Sequence, residues 1–445
     1  MSEALYSTPA LAAIFAPEAH VAKILAFEAA LARAEARAGV IPPDAAEAIG
    51  AACQVERFDV HALYRDAARA GTLAIPLVRA LTAQVAEPGR AYVHWGATSQ
   101  DAIDTALMLQ LREALPLIEA DLLRLAGACA TLADAYRHTL LPARTLLQQA
   151  LPIPFGLKAA RWLGLAVRQA RAIRAQWAGL WIQFGGAAGT LAALGDRGLA
   201  VAAFLAEELG LAVPDLPWHA ERDHTAALAA TLGVAAGAMA KIAHDIVLLA
   251  QTEVGEVSEA AAPGKGGSSA MPQKRNPVDA VLAQAAARLA QAQVGVILGA
   301  MAHEHERAAG GWQAEWQALP DLLRFAGGAV ARVADAVSGL ELDAARMRAN
   351  LDAGGGLMLA ESLTMALAPH LGRAEAQHLV QALCGRAVAG AATLRDVALA
   401  DPQVRAVLSP EAIAVALDPA AYLGSASAMI DRALEGYHIL LAERR

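Results

Sequence analysis

The sequence predicts an all-α protein organised around a long central helical bundle, and three observations carry that expectation. Leu107, Leu111, Leu115, Ile118, Leu122, Leu125, Cys129 and Leu132 recur at steps of three and four residues, the seam of a bundle helix. Val278, Leu282, Ala285, Leu289, Ala292 and Val296 repeat the pattern directly after a glycine-rich loop. Aromatic residues make up only 4% of the chain, and turn-bounded alternating segments are scarce, so a substantial sheet is not expected.

The elements follow in order. Residues 1–103 read as a smaller N-terminal helical domain, ending in the polar, turn-rich stretch 91–105. The chain opens Met1-Ser2-Glu3 without a basic region before an apolar one, which predicts no secretory signal and a cytoplasmic protein. Residues 104–350 form the central bundle. Its first seam contains Pro116, expected to kink or break the helix. The apolar run from Ala226 to Ala240 contains Gly233 and Gly237 and ends at Lys241, short of the roughly 18 residues of a membrane span, so a buried core helix is expected. The glycines 354–356 mark the start of a C-terminal helical domain, 351–445.

Hydrophobic residues reach 56% and charged residues only 18% of 445. That is more apolar than an ordinary monomer and points to helices buried on several sides, as in an oligomer. The net charge of -8 argues against a nucleic-acid partner, although Lys265, Lys274, Arg275 and Arg307 allow a local basic pocket. Cys53, Cys129 and Cys384 are odd in number and widely spaced, which predicts reduced, structural cysteines and neither disulfide nor zinc site.

Chemistry concentrates in the loop 263–277, Pro-Gly-Lys-Gly-Gly-Ser-Ser-Ala-Met-Pro-Gln-Lys-Arg-Asn-Pro. Its glycines let backbone N–H groups converge on an anion, and Lys274, Arg275 and Asn276 add charge and donors. It is not a nucleotide P-loop, because Gly266 follows Lys265 where Ser or Thr would meet magnesium. A second cluster, His94-Trp95-Gly96-Ala97-Thr98-Ser99-Gln100-Asp101, precedes the first seam. Read alone, Thr98 or Ser99 caps that helix and Asp101 or Asp104 favours its positive end. A third, His303-Glu304-His305-Glu306-Arg307, lacks the spacing of a zinc site, and no metal is expected.

The loop resembles the GSSxMPxKxNP signature of the fumarase/aspartase superfamily at Gly267, Ser268, Ser269, Met271, Pro272, Lys274, Asn276 and Pro277. The stretch around Thr98 and Ser99 looks like that superfamily's first carboxylate-binding region. Arg144 to Ala150 resembles the second, with Leu146 where several lyases carry a histidine and Val281 where its partner glutamate would stand. Neither can transfer a proton, which argues against the histidine-assisted elimination of adenylosuccinate lyases. Glu304 to Arg307, Trp312 to Trp316, Ala345 to Arg348, Asn350 to Asp352 and Leu417 to Pro419 look similar to bacterial 3-carboxy-cis,cis-muconate cycloisomerases.

The resemblance implies a fumarase/aspartase-like fold and a homotetramer with shared active sites. It also implies a cofactor-independent lactonisation of a small tricarboxylate, as in the protocatechuate branch of aromatic degradation. It assigns Ser268 to proton transfer, with Lys274 stabilising its alkoxide, and gives substrate-binding roles to His94, Thr98, Ser99, Gln148, Ser269, Met271, Asn276 and Arg307. Two other readings stay open: a fumarate-releasing lyase, and a catalytically silent protein of the same fold.

Overall fold

The computed structural model describes residues 3–443; Met1 and Ser2, which enter the reading of the N-terminus, lie outside them. The all-α expectation holds. Among the described residues, sheet is confined to two antiparallel pairs: Leu140–Thr145 with Gln148–Pro154, and Val257–Glu259 with Leu340–Leu342.

By its contacts the chain divides into two compact units. The first comprises Met1–Leu122, Gln169–Ala240 and Leu282–Arg332; the second comprises Leu123–Arg168, Lys241–Val281 and Val333–Arg445. Elements of the segment 104–350 thus contribute to both.

In the first unit, Ile24, Leu25, Phe27 and Leu31 of the helix Pro17–Arg37 are buried with Leu77, Leu81, Val201, Leu205 and Trp312. The helix Ser99–Ala135 carries the first seam and continues through Pro116 rather than ending there. Leu115 and Ile118, on either side of the proline, are fully buried, so packing holds the helix where one backbone hydrogen bond is lost.

The second seam begins where expected, at the first residue of the helix Val278–Ala300, but the buried row is a different one. Ala280, Ala283, Ala286, Ala287, Ala290 and Ile297 face inward, whereas Leu289 and Val296 stand exposed. Small residues let a neighbouring helix approach closely, and the glycines of the apolar run show the same device. A Cβ on Gly233 would lie 2.7 Å from Val294 Cγ2, and one on Gly237 would lie 3.0 Å from Gln291 Nε2. That run is part of a longer helix, Asp223–Ala250. By length and composition alone this helix and Val278–Ala300 could each cross a membrane, yet Leu228, Leu232, Met239, Ile242 and Ile246 of the first are buried inside the chain. With Val234 and Leu298, Leu289 and Val296 leave large apolar side chains uncovered in the single chain.

The second unit has its own core, with Leu363, Leu367, Leu383, Leu394, Val404 and Ile413 buried together. Its hairpin is tied down from beneath. Arg144 makes a bidentate pair with the fully buried Glu256 at 2.7 and 2.9 Å, and Asn350 Nδ2 donates to the same carboxylate at 2.8 Å.

Glycine positions give a direct stability test. A Cβ on Gly328 would overlap the Tyr6 carbonyl oxygen, whereas one on Gly385, inside the helix Arg373–Ala389, meets nothing within 4 Å. Gly328→Ala is expected to destabilise by about 1–3 kcal/mol. Gly385→Ala is expected to stabilise by about 0.5–1 kcal/mol, and urea unfolding of both variants checks the opposite signs.

Candidate active site

The turn before the helix Ser99–Ala135 is built on one buried carboxylate. Asp101 accepts hydrogen bonds from the Thr98, Gly185 and Gly186 N–H groups at 3.0, 3.0 and 2.9 Å, and its Oδ1 lies 2.8 Å from His219 Nε2. Asp101 thus caps the Thr98 N–H from within the first turn, while the Asp101 N–H donates to the Thr98 carbonyl at 3.0 Å rather than to a hydroxyl. Among the described residues no hydrogen bond engages the side-chain oxygen of Thr98 or Ser99. Two half-buried hydroxyls are therefore left beside the positive end of a 37-residue helix, an environment suited to an anion.

Arg307 joins this turn. Its guanidinium donates to Gln100 Oε1 at 3.2 Å and to the Gly186 and Ala187 carbonyls at 3.5 and 3.1 Å. These acceptors are neutral, so the arginine keeps its charge uncompensated. Below it, Arg222 lies buried between Asp104, 2.7 Å away, and Glu315, while Trp312 Nε1 donates to Asp104 at 2.8 Å. Burial opposes the charge on Arg222, but the two carboxylates outweigh it and hold the guanidinium above its usual pKa. His303 packs its buried ring beside Glu315, whereas His305 is exposed.

His94 sits in the same turn with φ +58°, the left-handed region. Its Nδ1 lies 2.6 Å from Oε1 of the buried Glu28. Burial disfavours a charged ring here, but the charge and hydrogen bond of Glu28, with Asp101 behind, overcome it and raise the pKa. Seven residues along the same helix, Glu35 is also buried and neither of its oxygens meets a donor among the described residues. Burial, with the charge of Glu28, pushes its carboxyl up to about 9.

The second unit carries the signature loop. Ser268 Oγ accepts from the Ala270 and Met271 N–H groups at 3.3 and 3.1 Å. The donors expected from the glycines are thus provided one turn later. Gly266, at φ +71°, lets the loop close on itself: Asn276 donates to its carbonyl through both backbone N–H and side chain, at 2.8 and 3.1 Å. Ser269, Met271 and Lys274 are exposed, and no ion pair holds Lys274 among the described residues. Lys265, by contrast, pairs with Asp279 at 2.6 Å and Arg275 with Glu341 at 3.1 Å. Gln148 is exposed beside the hairpin tip, where Leu146 and Leu147 both adopt positive φ.

A family model described as "Lyase" matches residues 4–316, and one described as "Adenylosuccinate lyase C-terminus" matches residues 356–433. The chain belongs to the fumarase/aspartase superfamily of lyases. A 3-carboxy-cis,cis-muconate cycloisomerase of Bradyrhizobium diazoefficiens is 51% identical, over 97% of this chain and 96% of its own length. A nitrosuccinate lyase of Streptomyces davaonensis is 44% identical, over 96% and 93%. Among solved structures, the 3-carboxy-cis,cis-muconate lactonizing enzyme of Pseudomonas putida superposes with a TM-score of 0.93 at 45% identity, covering 99% of each chain.

For this superfamily member, the sequence-flagged residues fall into two groups. His94, Thr98, Ser99 and Arg307 are brought together in the first unit; Gln148, Ser268, Ser269, Met271, Lys274 and Asn276 belong to the second. The sequence reading missed Glu28, His219, Arg222 and Glu315. A signal existed for Glu28, which shares a helical face with Val21, Ile24 and Leu31 and so places a carboxylate where the core pattern calls for an apolar side chain.

The carboxyl of Glu35 makes stability depend on pH. Its folded pKa is raised above the unfolded value, so the native state binds the extra proton between about 4.5 and 9 and stability falls as pH rises through that window. Glu35→Gln removes this slope. The variant is expected to gain on the parent by up to about 1.4 kcal/mol per pH unit above the lower limit, and to match its slope below it, in urea unfolding from pH 4 to 9.

Proposed function

We propose that this chain is a 3-carboxy-cis,cis-muconate cycloisomerase, converting that triacid to 4-carboxymuconolactone. The observation that carries the reading is 51% identity, over almost the full length of both chains, to a protein of that name. Leu146 and Val281 agree with it, since a lactonisation that draws its proton from a serine needs no histidine–glutamate pair there.

In the proposed reaction one substrate carboxylate oxygen attacks a double-bond carbon and forms the ring C–O bond. The π pair moves to the neighbouring carbon and is held as an aci-carboxylate, which then takes a proton from the Ser268 hydroxyl. Overall one proton is consumed, and the serine regains it from solvent. The Ala270 and Met271 N–H groups support an alkoxide at Ser268, and Lys274 of the same loop has no ion pair among the described residues. Thr98, Ser99, His94 and Arg307 bind substrate carboxylates, and Gln148, Ser269, Met271 and Asn276 complete the contacts. Asn276 does so from a position in which its amide already braces the loop base.

The proposal includes a homotetramer with active sites shared between subunits. The uncovered Val234, Leu289, Val296 and Leu298 support association by burying apolar surface. It also includes a cytoplasmic location, with which three free cysteines agree, and a reaction without cofactor. A fumarate-releasing lyase is the second reading, favoured by the 44% identity to a nitrosuccinate lyase.

Loss of diene absorbance with 3-carboxy-cis,cis-muconate, and lactone identified by NMR, is the expected result. Fumarate release from nitrosuccinate without lactone formation would replace the first reading by the second. Ser268→Ala is expected to lower kcat by roughly 100- to 10,000-fold with the oligomeric state unchanged, read by steady-state kinetics and light scattering.

A further inference from the structure

His94 is held in an arrangement that a mere lining residue does not need. Its backbone occupies the left-handed region, and its Nδ1 is directed at the helix Pro17–Arg37, where Glu28 Oε1 lies 2.6 Å away. Glu28 is only 1% exposed, and its Oε2 meets no donor among the described residues. The carboxylate is therefore buried with the imidazole as its one hydrogen-bonded partner there, a situation that strongly favours an N–H on Nδ1. Nε2, on the opposite edge of the ring, faces away from that helix and meets no protein acceptor among the described residues.

The other charged groups around the ring are accounted for. Asp101, in the first turn of the helix Ser99–Ala135, has its oxygens taken by three backbone N–H groups and His219. Glu35 lies on the same helix as Glu28 and is driven towards its neutral form. Arg307 is bound to neutral oxygens of Gln100, Gly186 and Ala187. Glu28 is thus the carboxylate that hydrogen-bonds the ring, and the loop bearing His94 is continuous with the turn that presents Thr98 and Ser99.

We propose that Glu28 is a positioning residue: it fixes the His94 ring by Nδ1 so that Nε2–H is presented, on a charged imidazolium, to a carboxylate of the substrate. This rests on the cycloisomerase reading for the identity of the substrate, but not for the pairing itself. Carboxylate–imidazole pairing both selects the tautomer and raises the basicity of the ring. Binding should then weaken at the alkaline side, where the ring loses its proton.

The test compares wild type with Glu28→Gln and His94→Gln across pH 5–9. Two readouts are used: turnover of 3-carboxy-cis,cis-muconate, and calorimetric binding of propane-1,2,3-tricarboxylate. Glu28→Gln is expected to raise KM roughly tenfold or more with a smaller change in kcat, and to move the alkaline loss of binding to lower pH. His94→Gln should abolish that limb, and adding Glu28→Gln to it should change KM no further.

An alkaline limb unmoved in Glu28→Gln overturns the proposal, because a purely structural role would lower the melting temperature and leave the limb in place. If Glu28→Gln fails to assemble, persistence of the limb in His94→Gln overturns it alone. Tricarboxylate binding with the expected shifts but no lactone would refute the cycloisomerase reading and leave the Glu28 assignment standing. Neither turnover nor binding in wild type would remove both.

Discussion

Two carboxylates buried in the first turns of one helix set the conditions that the surrounding chain must meet. Asp101 and Asp104 are almost completely excluded from water, and an unpaired ion in such a place costs several kcal/mol. Asp101 is satisfied by the Gly185 and Gly186 N–H groups and by His219, and Asp104 by Arg222, Gln100 and Trp312. Apart from Gln100, each of these partners arrives from a distant stretch of sequence. Satisfying two charges therefore pins the segments around 185, 219 and 312 to the start of the helix Ser99–Ala135, and Arg307 is placed among them through Gln100 and the carbonyls at 186 and 187.

Helices were legible in the sequence wherever a seam of large residues faced the core, as from Leu107 to Leu125. They were less so where alanine does the packing. In Val278–Ala300 the larger Leu289 and Val296 look like the core side, yet the chain buries Ala280, Ala283, Ala286, Ala287 and Ala290 and leaves those two out. Periodicity reports which residues share a face; it does not report how close the neighbouring helix comes, and close approach selects small side chains. The loop from Pro263 to Pro277 was legible because its glycines and prolines mark a backbone that no helix can use. The ionic cluster was not, since Arg222 meets Asp104 across 118 residues and Glu315 across 93, separations that a local pattern cannot register.

The hairpin from Leu140 to Pro154 shows a different limit. Its tip holds Leu146 and Leu147 at φ +51° and +65°, a conformation that two-residue hairpin turns usually reserve for Asn and Gly. Leucine there is strained, and both side chains are exposed, at 97% and 72%. The ladder itself and the Arg144–Glu256–Asn350 anchor beneath it fix the turn, so the tip keeps its shape through contacts made several residues away.

Charge compensation differs among the cations of the two units. Arg222 is neutralised by two buried carboxylates, Arg144 by Glu256, Lys265 by Asp279 and Arg275 by Glu341. Among the described residues, Arg307 and Lys274 have no such partner. The first is held by three neutral oxygens, which fix its direction without cancelling its field, and the second stands exposed on the loop that carries Ser268. A protein with net charge -8 repels a small polyanion at long range. Arg112, Arg197 and Arg346 are likewise oriented by backbone carbonyls, so what distinguishes Arg307 is its place beside the Thr98 and Ser99 hydroxyls, which no hydrogen bond engages among the described residues.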